Sequence, residues 1–309
     1  MVQGTFAAMM TPLDENGGIN IRAAKELTEF IIDKGAMGLF PVSNVGGMIH
    51  MRPDEKAQLI KAVVEQAKDR VPVYPGINAS CTRESVILSR MCREMGADGC
   101  ILSAPFYFPY PQAVVLSGLM AVARQSSLPI VLYNIPKYAG EITLDSFRAL
   151  MQERNIIGVK DSSGTMVNLL NLVSIRDEIR PDFSVLVGWE EMLYSALLAG
   201  GQGCMTASSG IFPEIMRDIF RAVQEKSYDY ALRCQKLIAG ATAVFGNLFF
   251  PLGYQWAMEA RGIPMGAYPV SCDEAAFAPQ RQAIENAVAE TLAGYTALRA
   301  EATCGNEAL

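Results

Sequence analysis

Histidine is nearly absent: His50 is the only one in 309 residues. A single imidazole excludes a histidine metal cluster, and a Ser-His-Asp triad would have to run through His50 itself. His50 follows Gly46, Gly47, Met48 and Ile49 in a loop-like stretch and reads as incidental. Cysteine is present but unpatterned. Cys81, Cys92, Cys100, Cys204, Cys234, Cys272 and Cys304 form an odd set with no CxxC spacing. Neither a zinc site nor a disulfide framework is expected, and the chain reads as a reduced, cytoplasmic protein. No long basic run occurs, the net charge is −6 and the pI is near 5.1, which argues against a nucleic-acid partner. The N-terminus has no basic region followed by an apolar core, so no signal peptide is expected. No Gly-x-Gly-x-x-Gly follows a strand-like run, so the usual mark of a dinucleotide-binding open sheet is missing.

Two stretches lack charge altogether, residues 99–123 and 237–258. A membrane span needs about 20 predominantly apolar residues. Pro105, Pro109 and Pro111 break the first stretch into strand, loop and helix. The second holds Asn247, Pro251, Gln255 and three glycines, and reads as a buried helix or a subunit interface.

What is there is a regular alternation. Eight β-rich runs, at 4–10, 37–43, 71–77, 98–104, 129–134, 156–161, 183–188 and 202–207, alternate with amphipathic stretches. Ala24, Leu27, Phe30 and Ile31 recur at helical spacing before Gly35; Pro53 and Asp54 open a helix whose apolar face is Leu59, Ile60, Val63 and Val64. Eight such units in about 200 residues predict an α/β fold, a (β/α)8 TIM barrel. An open doubly wound sheet is the runner-up. From about residue 212 only helical patterns continue. The segment from Pro213 would be the eighth barrel helix, which divides the chain into a barrel, 1–225, and a C-terminal helical appendix, 226–309.

Chemistry in such barrels sits at the C-terminal strand ends. The run Ile156-Ile157-Gly158-Val159 delivers one lysine, Lys160. A lysine there either reaches solvent or is desolvated, loses its proton and becomes a nucleophile able to form Schiff bases. Alternation puts Ile156, Gly158 and Lys160 on one face. Tyr133 ends the preceding run at a matching place, on a neighbouring strand about 4.8 Å away. It is either a proton carrier beside the lysine or an amphipathic core tyrosine. Ser43-Asn44-Val45-Gly46-Gly47 offers consecutive N–H groups at a tight turn, a nest suited to a carboxylate, although glycines there can serve the backbone alone. The fourth run ends toward Tyr107, among other loop aromatics, and the eighth supplies Met205 and Thr206.

Tyr133-Asn134-Ile135-Pro136, the segment Gly158 to Gly164, and the opening Thr11-Pro12 with Asp14 and Gly17 together resemble the dihydrodipicolinate synthase / N-acetylneuraminate lyase superfamily of class I, pyruvate-type aldolases. The resemblance runs from Thr5 to about Tyr295. It implies that Lys160 attacks the keto carbon of pyruvate or another 2-keto acid and that Tyr133 shuttles protons. It also implies that Tyr107 reaches across a dimer interface of a homotetramer, and that no metal or organic cofactor is needed. Two departures stand out. The family's carboxylate loop usually reads Gly-Thr-Thr-Gly-Glu or Gly-Ser-Thr-Gly-Glu; here Asn44 replaces the relay threonine, Val45 keeps only its N–H, and Gly47 replaces the glutamate. True dihydrodipicolinate synthases carry an arginine where Tyr138 stands, beside Lys137. Tyrosine is no bidentate carboxylate clamp, so the second substrate is expected to be a sugar-acid chain or an apolar aldehyde rather than aspartate-semialdehyde. The expected function is a Schiff-base lyase, an aldolase or dehydratase. Lys160, Tyr133, Tyr107 and Asn44 would be catalytic, with Ser43, Val45, Gly46, Tyr138 and Met205 binding substrate. A non-catalytic keto-acid-binding barrel, a sensor or accessory subunit, is the alternative that the altered loop raises.

Overall fold

The computed structural model describes residues 1–304. Strands and helices alternate in the expected order. They are β1 Gly4–Ala8, α1 Ile21–Asp33, β2 Gly38–Phe40, α2 Pro53–Ala67, α3 Thr82–Glu94, β3 Cys100–Ser103, α4 Gln112–Gln125 and β4 Ile130–Asn134. There follow α5 Leu144–Leu150, β5 Ile156–Asp161, α6 Met166–Ile179, β6 Ser184–Val187, α7 Leu193–Leu198, β7 Gly203–Thr206, α8 Ser208–Ile211 and α9 Pro213–Gln224. The chain ends in α10 Tyr228–Phe245, α11 Leu252–Ala260 and α12 Ala278–Cys304.

Seven parallel strands pair in the order β2-β1-β7-β6-β5-β4-β3. The predicted third strand, 71–77, does not form a regular ladder. Pro72 and Pro75 have no N–H to give, so the segment pairs only through isolated bridges, Val73 to Leu39 and Gly76 to Ile101. Those bridges lie on both sides. Leu39 donates to the Pro72 carbonyl and Ile101 to the Pro75 carbonyl, and the segment thereby fills the gap between β2 and β3. The result is a TIM barrel with one proline-interrupted stave.

Local sequence explains the surrounding helices. The Asn20 side chain caps α1 by accepting from the Ala23 N–H at 3.0 Å, and Leu27 and Ile31 bury its apolar face. Pro53 opens α2 where a missing N–H costs nothing, and the Arg52 N–H donates to the Glu55 carboxylate at 2.8 Å. The charge-free stretch 99–123 divides into β3, a proline-rich loop and α4. The stretch 237–258 divides into the end of α10, a loop and α11. No described helix is long and apolar enough to cross a membrane.

One register shift matters for the site. Between Ile130 and Val131 the β4–β5 ladder slips by a residue, after which Tyr133 pairs directly with Lys160 and Asn134 with Asp161. Behind these strand ends, the Asn134 amide donates to Asp161 Oδ1 at 2.8 Å while its oxygen accepts from the Ile142 N–H, pinning both strands to the following loops.

The helical appendix is joined to the barrel at a buried carboxylate. Asp218 of α9 accepts from the Tyr295 hydroxyl of α12 at 2.6 Å and from the Tyr230 hydroxyl of α10 at 3.3 Å, and it pairs with Arg217 at 2.8 Å. Nearby, Arg261 reaches Glu214 at 2.6 Å with both side chains largely buried. Replacing Asp218 by alanine strands two buried hydroxyls. Asp218→Ala is expected to lower the unfolding free energy by roughly 2–3 kcal/mol, read as a shift of the urea midpoint.

Candidate active site

Lys160 and Tyr133 meet at the C-terminal mouth of the barrel. Lys160 is 3% exposed, and its Nζ lies 4.0 Å from the Tyr133 ring centroid and 5.1 Å from that of Phe40. Phe40 and Tyr133 themselves meet edge to face at 6.1 Å. Among the described residues the amine has no hydrogen-bond acceptor and no ion-pair partner, and two aromatic rings flank it. Burial pushes the Lys160 ammonium down to about 7, a fall partly offset by the nearby Glu190 and Cys204. The strand-end lysine therefore does not reach solvent; it turns into the barrel.

Room for this side chain comes from Gly188, just past β6. A Cβ there would stand 1.9 Å from the Ser162 hydroxyl oxygen and 2.8 Å from Lys160 Cε. Ser162 is buried, and its hydroxyl borders the cavity above the lysine, next to the Tyr133 phenol. Tyr133 is also buried. Desolvation holds its phenol well above the ordinary tyrosine value, with the Ser162 hydroxyl pulling the other way.

The cavity is about 520 Å3 and is bordered by Lys160, Tyr133, Asn44, Val45, Tyr138, Ser162, Thr206 and Glu190, among others. Of the loop residues, Asn44 and Val45 face it, while Ser43 and Gly46 do not. The Ser43 hydroxyl donates to the Met9 carbonyl at 2.7 Å and accepts from the Gly46 N–H at 3.0 Å, and the Gly47 N–H goes to the Asn44 carbonyl. The turn thus consumes its own glycine amides. Gly46 lets the loop press against β1, since a Cβ would lie 2.6 Å from the Met9 carbonyl oxygen. The Asn44 and Val45 N–H groups have no acceptor among the described residues. Just before the loop, Val42 holds φ +55, a costly conformation for a β-branched residue.

Met205 is not at the cavity. Cys204 and Thr206 share the inner face of β7, with Cys204 acting on Lys160 and Thr206 lining the space, so alternation turns Met205 outward. Thr206 takes the place expected of Met205. Tyr107 is also elsewhere. It is 88% exposed, sits at φ +77 in the loop after β3, and meets the Phe108 ring edge to face at 4.8 Å.

Glu190, absent from the sequence-based set, is the buried carboxyl bordering this cavity. Its Oε1 accepts from the Ala207 N–H at 3.1 Å and the Ser208 N–H at 3.4 Å. Burial, then the neighbouring Glu191, raises its carboxyl to about 7. It acts on Lys160 through space without forming an ion pair. Gly188 ends the run 183–188, and Trp189 and Glu190 directly follow it, so the strand-end rule that singles out Lys160 points to them too. The remaining wall, Leu248, Phe249, Phe250 and Tyr254, comes from the loop between α10 and α11 and from α11, where no strand-end rule applies.

A family model described as the dihydrodipicolinate synthetase family matches residues 1–289. The chain belongs to this family. Relatives within the dihydrodipicolinate synthetase family include a probable 2-dehydro-3-deoxy-D-pentonate aldolase, YjhH, from Escherichia coli K12. It is 28% identical, with 86% of this chain and 89% of that protein covered. A 4-hydroxy-tetrahydrodipicolinate synthase from Rhodopseudomonas palustris (strain BisA53) is 32% identical, over 79% of this chain and 81% of the other. Among solved structures, the 4-hydroxy-tetrahydrodipicolinate synthase of Methylacidiphilum fumariolicum SolV superimposes with a TM-score of 0.89 at 24% identity. The superposition covers 96% of this chain and 99% of that one. The E. coli K12 prophage protein YagE, solved with pyruvate, gives 0.88 at 23% identity, covering 94% and 99%. These structural likenesses establish the family barrel.

Two outcomes follow from the site. Gly188→Ala is expected to displace Ser162 and Lys160 and to lower lyase activity at least tenfold, roughly the cost of misplacing a reacting group by an ångström, while the circular dichroism spectrum stays that of the parent. Lys160→Met is expected to raise the melting temperature. The amine's folded value of about 7 lies below its ordinary 10.5, so the unfolded chain binds the extra proton between those values. The deficit is complete below pH 7 and fades as pH rises toward 10.5, so the gain from Lys160→Met should be larger at pH 7 than at pH 10 in thermal melts.

Proposed function

We propose that this member of the family is a lyase that forms a Schiff base between Lys160 and pyruvate, or a related 2-keto acid, and then makes or breaks a carbon–carbon or carbon–oxygen bond. The observation that carries it is the buried, unpaired Lys160 amine beside Tyr133 at the bottom of the cavity. A lysine held near 7 has a substantial free-amine fraction at neutral pH, which an exposed lysine lacks.

In this reading the amine adds to the keto carbon, the carbonyl π pair moves to oxygen, and the resulting carbinolamine loses that oxygen as water. Tyr133 keeps its proton at neutral pH and delivers it to the departing oxygen. The iminium that remains withdraws electrons from the adjacent carbon, whose proton leaves to give an enamine. The enamine attacks an aldehyde, or, in reverse, forms as the aldehyde departs. The keto-acid carboxylate is assigned to the Asn44 and Val45 N–H groups, which have no acceptor among the described residues, and to the Ser162 hydroxyl beside Tyr133. Glu190 offsets the positive charge of the iminium through space. Tyr138, in place of a carboxylate-gripping arginine, argues against aspartate-semialdehyde as the acceptor. Tyr107, exposed in one chain, is assigned to the neighbouring subunit's site in a homo-oligomer.

Borohydride reduction in the presence of pyruvate tests the reading. A reduced pyruvyl adduct on Lys160, found by peptide mass spectrometry and missing from Lys160→Ala, is expected; unmodified protein or an adduct on another lysine overturns it. Because the free amine is the attacking form, the initial trapping rate should rise as pH passes upward through about 7. Between pH 6 and pH 8 the rise should be about tenfold, following the free-amine fraction.

A further inference from the structure

The cavity changes character with depth. Its floor carries the polar groups, Lys160, Tyr133, Ser162, Thr206 and Glu190. Its mouth carries five aromatic rings, Tyr138, Trp189, Phe249, Phe250 and Tyr254. Four of these leave much of their surface open: Tyr138 43%, Trp189 41%, Phe249 43% and Phe250 38%. Apolar surface gathered in one place rather than scattered marks a binding surface.

The rings are held in fixed relation to one another. Tyr138 stacks on Phe250 at 5.8 Å with 27° between planes, and Phe250 meets the edge of Tyr254 at 5.8 Å. The Trp189 indole N–H donates to the Ser162 carbonyl at 3.1 Å, which spends its one polar handle and leaves the ring as apolar wall. The stacked Tyr138 and Phe250 rings come from two distant segments of the chain, the loop after β4 and the loop before α11. The charged side chain at this rim is Lys137, whose Nζ lies 5.3 Å from the Tyr138 centroid.

Resting on the Schiff-base reading above, the geometry points to an aryl aldehyde as the carbonyl partner of the enamine. A polyhydroxylated aldehyde would surrender water at its far hydroxyls to a wall that offers them few acceptors. A planar ring offers the wall its faces and edges. The step balances without an oxidant. The enamine carbon, C3 of the bound pyruvate, forms a bond to the aldehyde carbon. The aldehyde π pair goes to its oxygen, which takes a proton, and water releases the product from Lys160 as a 4-aryl-4-hydroxy-2-oxobutanoate. The same enzyme would run the reverse cleavage to pyruvate and aryl aldehyde.

The full-length enzyme, given pyruvate with benzaldehyde or with glyceraldehyde, decides this by comparison of kcat/KM. Benzaldehyde is expected to be preferred by at least tenfold, and Phe250→Ala to lower the benzaldehyde-to-glyceraldehyde ratio at least tenfold. Tyr138→Leu provides the same readout if Phe250→Ala does not fold. Adduct formation at Lys160 with glyceraldehyde preferred, or with both variants lowering the two substrates equally, overturns the aryl assignment and leaves the Schiff-base reading standing. Failure to trap pyruvate at Lys160 overturns both.

Discussion

The cost of burying one amine organises this molecule. Lys160 stands at the end of a barrel strand with 3% of its surface exposed and no hydrogen-bond acceptor among the described residues, so its charged form loses hydration and gains little in return. A fold optimised for stability alone would place an apolar side chain there. The surroundings are instead arranged around the amine. Phe40 and Tyr133 offer ring faces, Gly188 offers space, and Glu190 offers a distant negative charge that moderates the desolvation without neutralising it. An ion pair at contact distance would hold the lysine protonated. The separation is what leaves the amine near neutrality.

Glu190 must itself be kept in place, and here the helical appendix matters. The Gln235 amide of α10 donates to the Glu190 carbonyl at 2.9 Å while its oxygen accepts from the Tyr194 N–H. Two turns further along, the Thr242 hydroxyl donates to Glu191 at 2.6 Å. Those contacts fix the short turn after β6 from outside the barrel. The same appendix supplies Phe249, Phe250 and Tyr254 to the cavity wall. Barrel strands therefore furnish the lysine–tyrosine pair, and the C-terminal helices furnish the rigid backing and most of the apolar mouth.

Much of this was legible in the chain before folding. The eightfold alternation gives the barrel, because each half-buried stave needs a helix to cover its outer face. The lone charge ending Ile156 to Val159, with a tyrosine at the corresponding place one strand earlier, gives the central pair. Other features resisted reading. Pro72 and Pro75 weaken the third stave, a competition between β-pattern and missing N–H groups that the pattern alone does not resolve. Ser43 and Gly46 look like donors to a ligand but spend their hydrogen bonds within the turn. Met205 and Thr206 are adjacent, and a strand's period of two sends only one of them inward. Glu190 has no motif around it; only its position after β6 marks it.

By itself, the sequence determined the barrel and the lysine–tyrosine pair, because hydrophobic periodicity and strand-end position are local properties of the chain, and its motifs at 133–136 and 158–164 carried the family resemblance. Tertiary structure decided what those residues are chemically. The one-residue slip at Ile130 and Val131 brings Tyr133 opposite Lys160. Burial lowers the amine and raises the phenol and Glu190. Helices more than fifty residues downstream close an aromatic mouth over them. Desolvation and long-range proximity depend on where distant segments pack, and no local pattern carries that information.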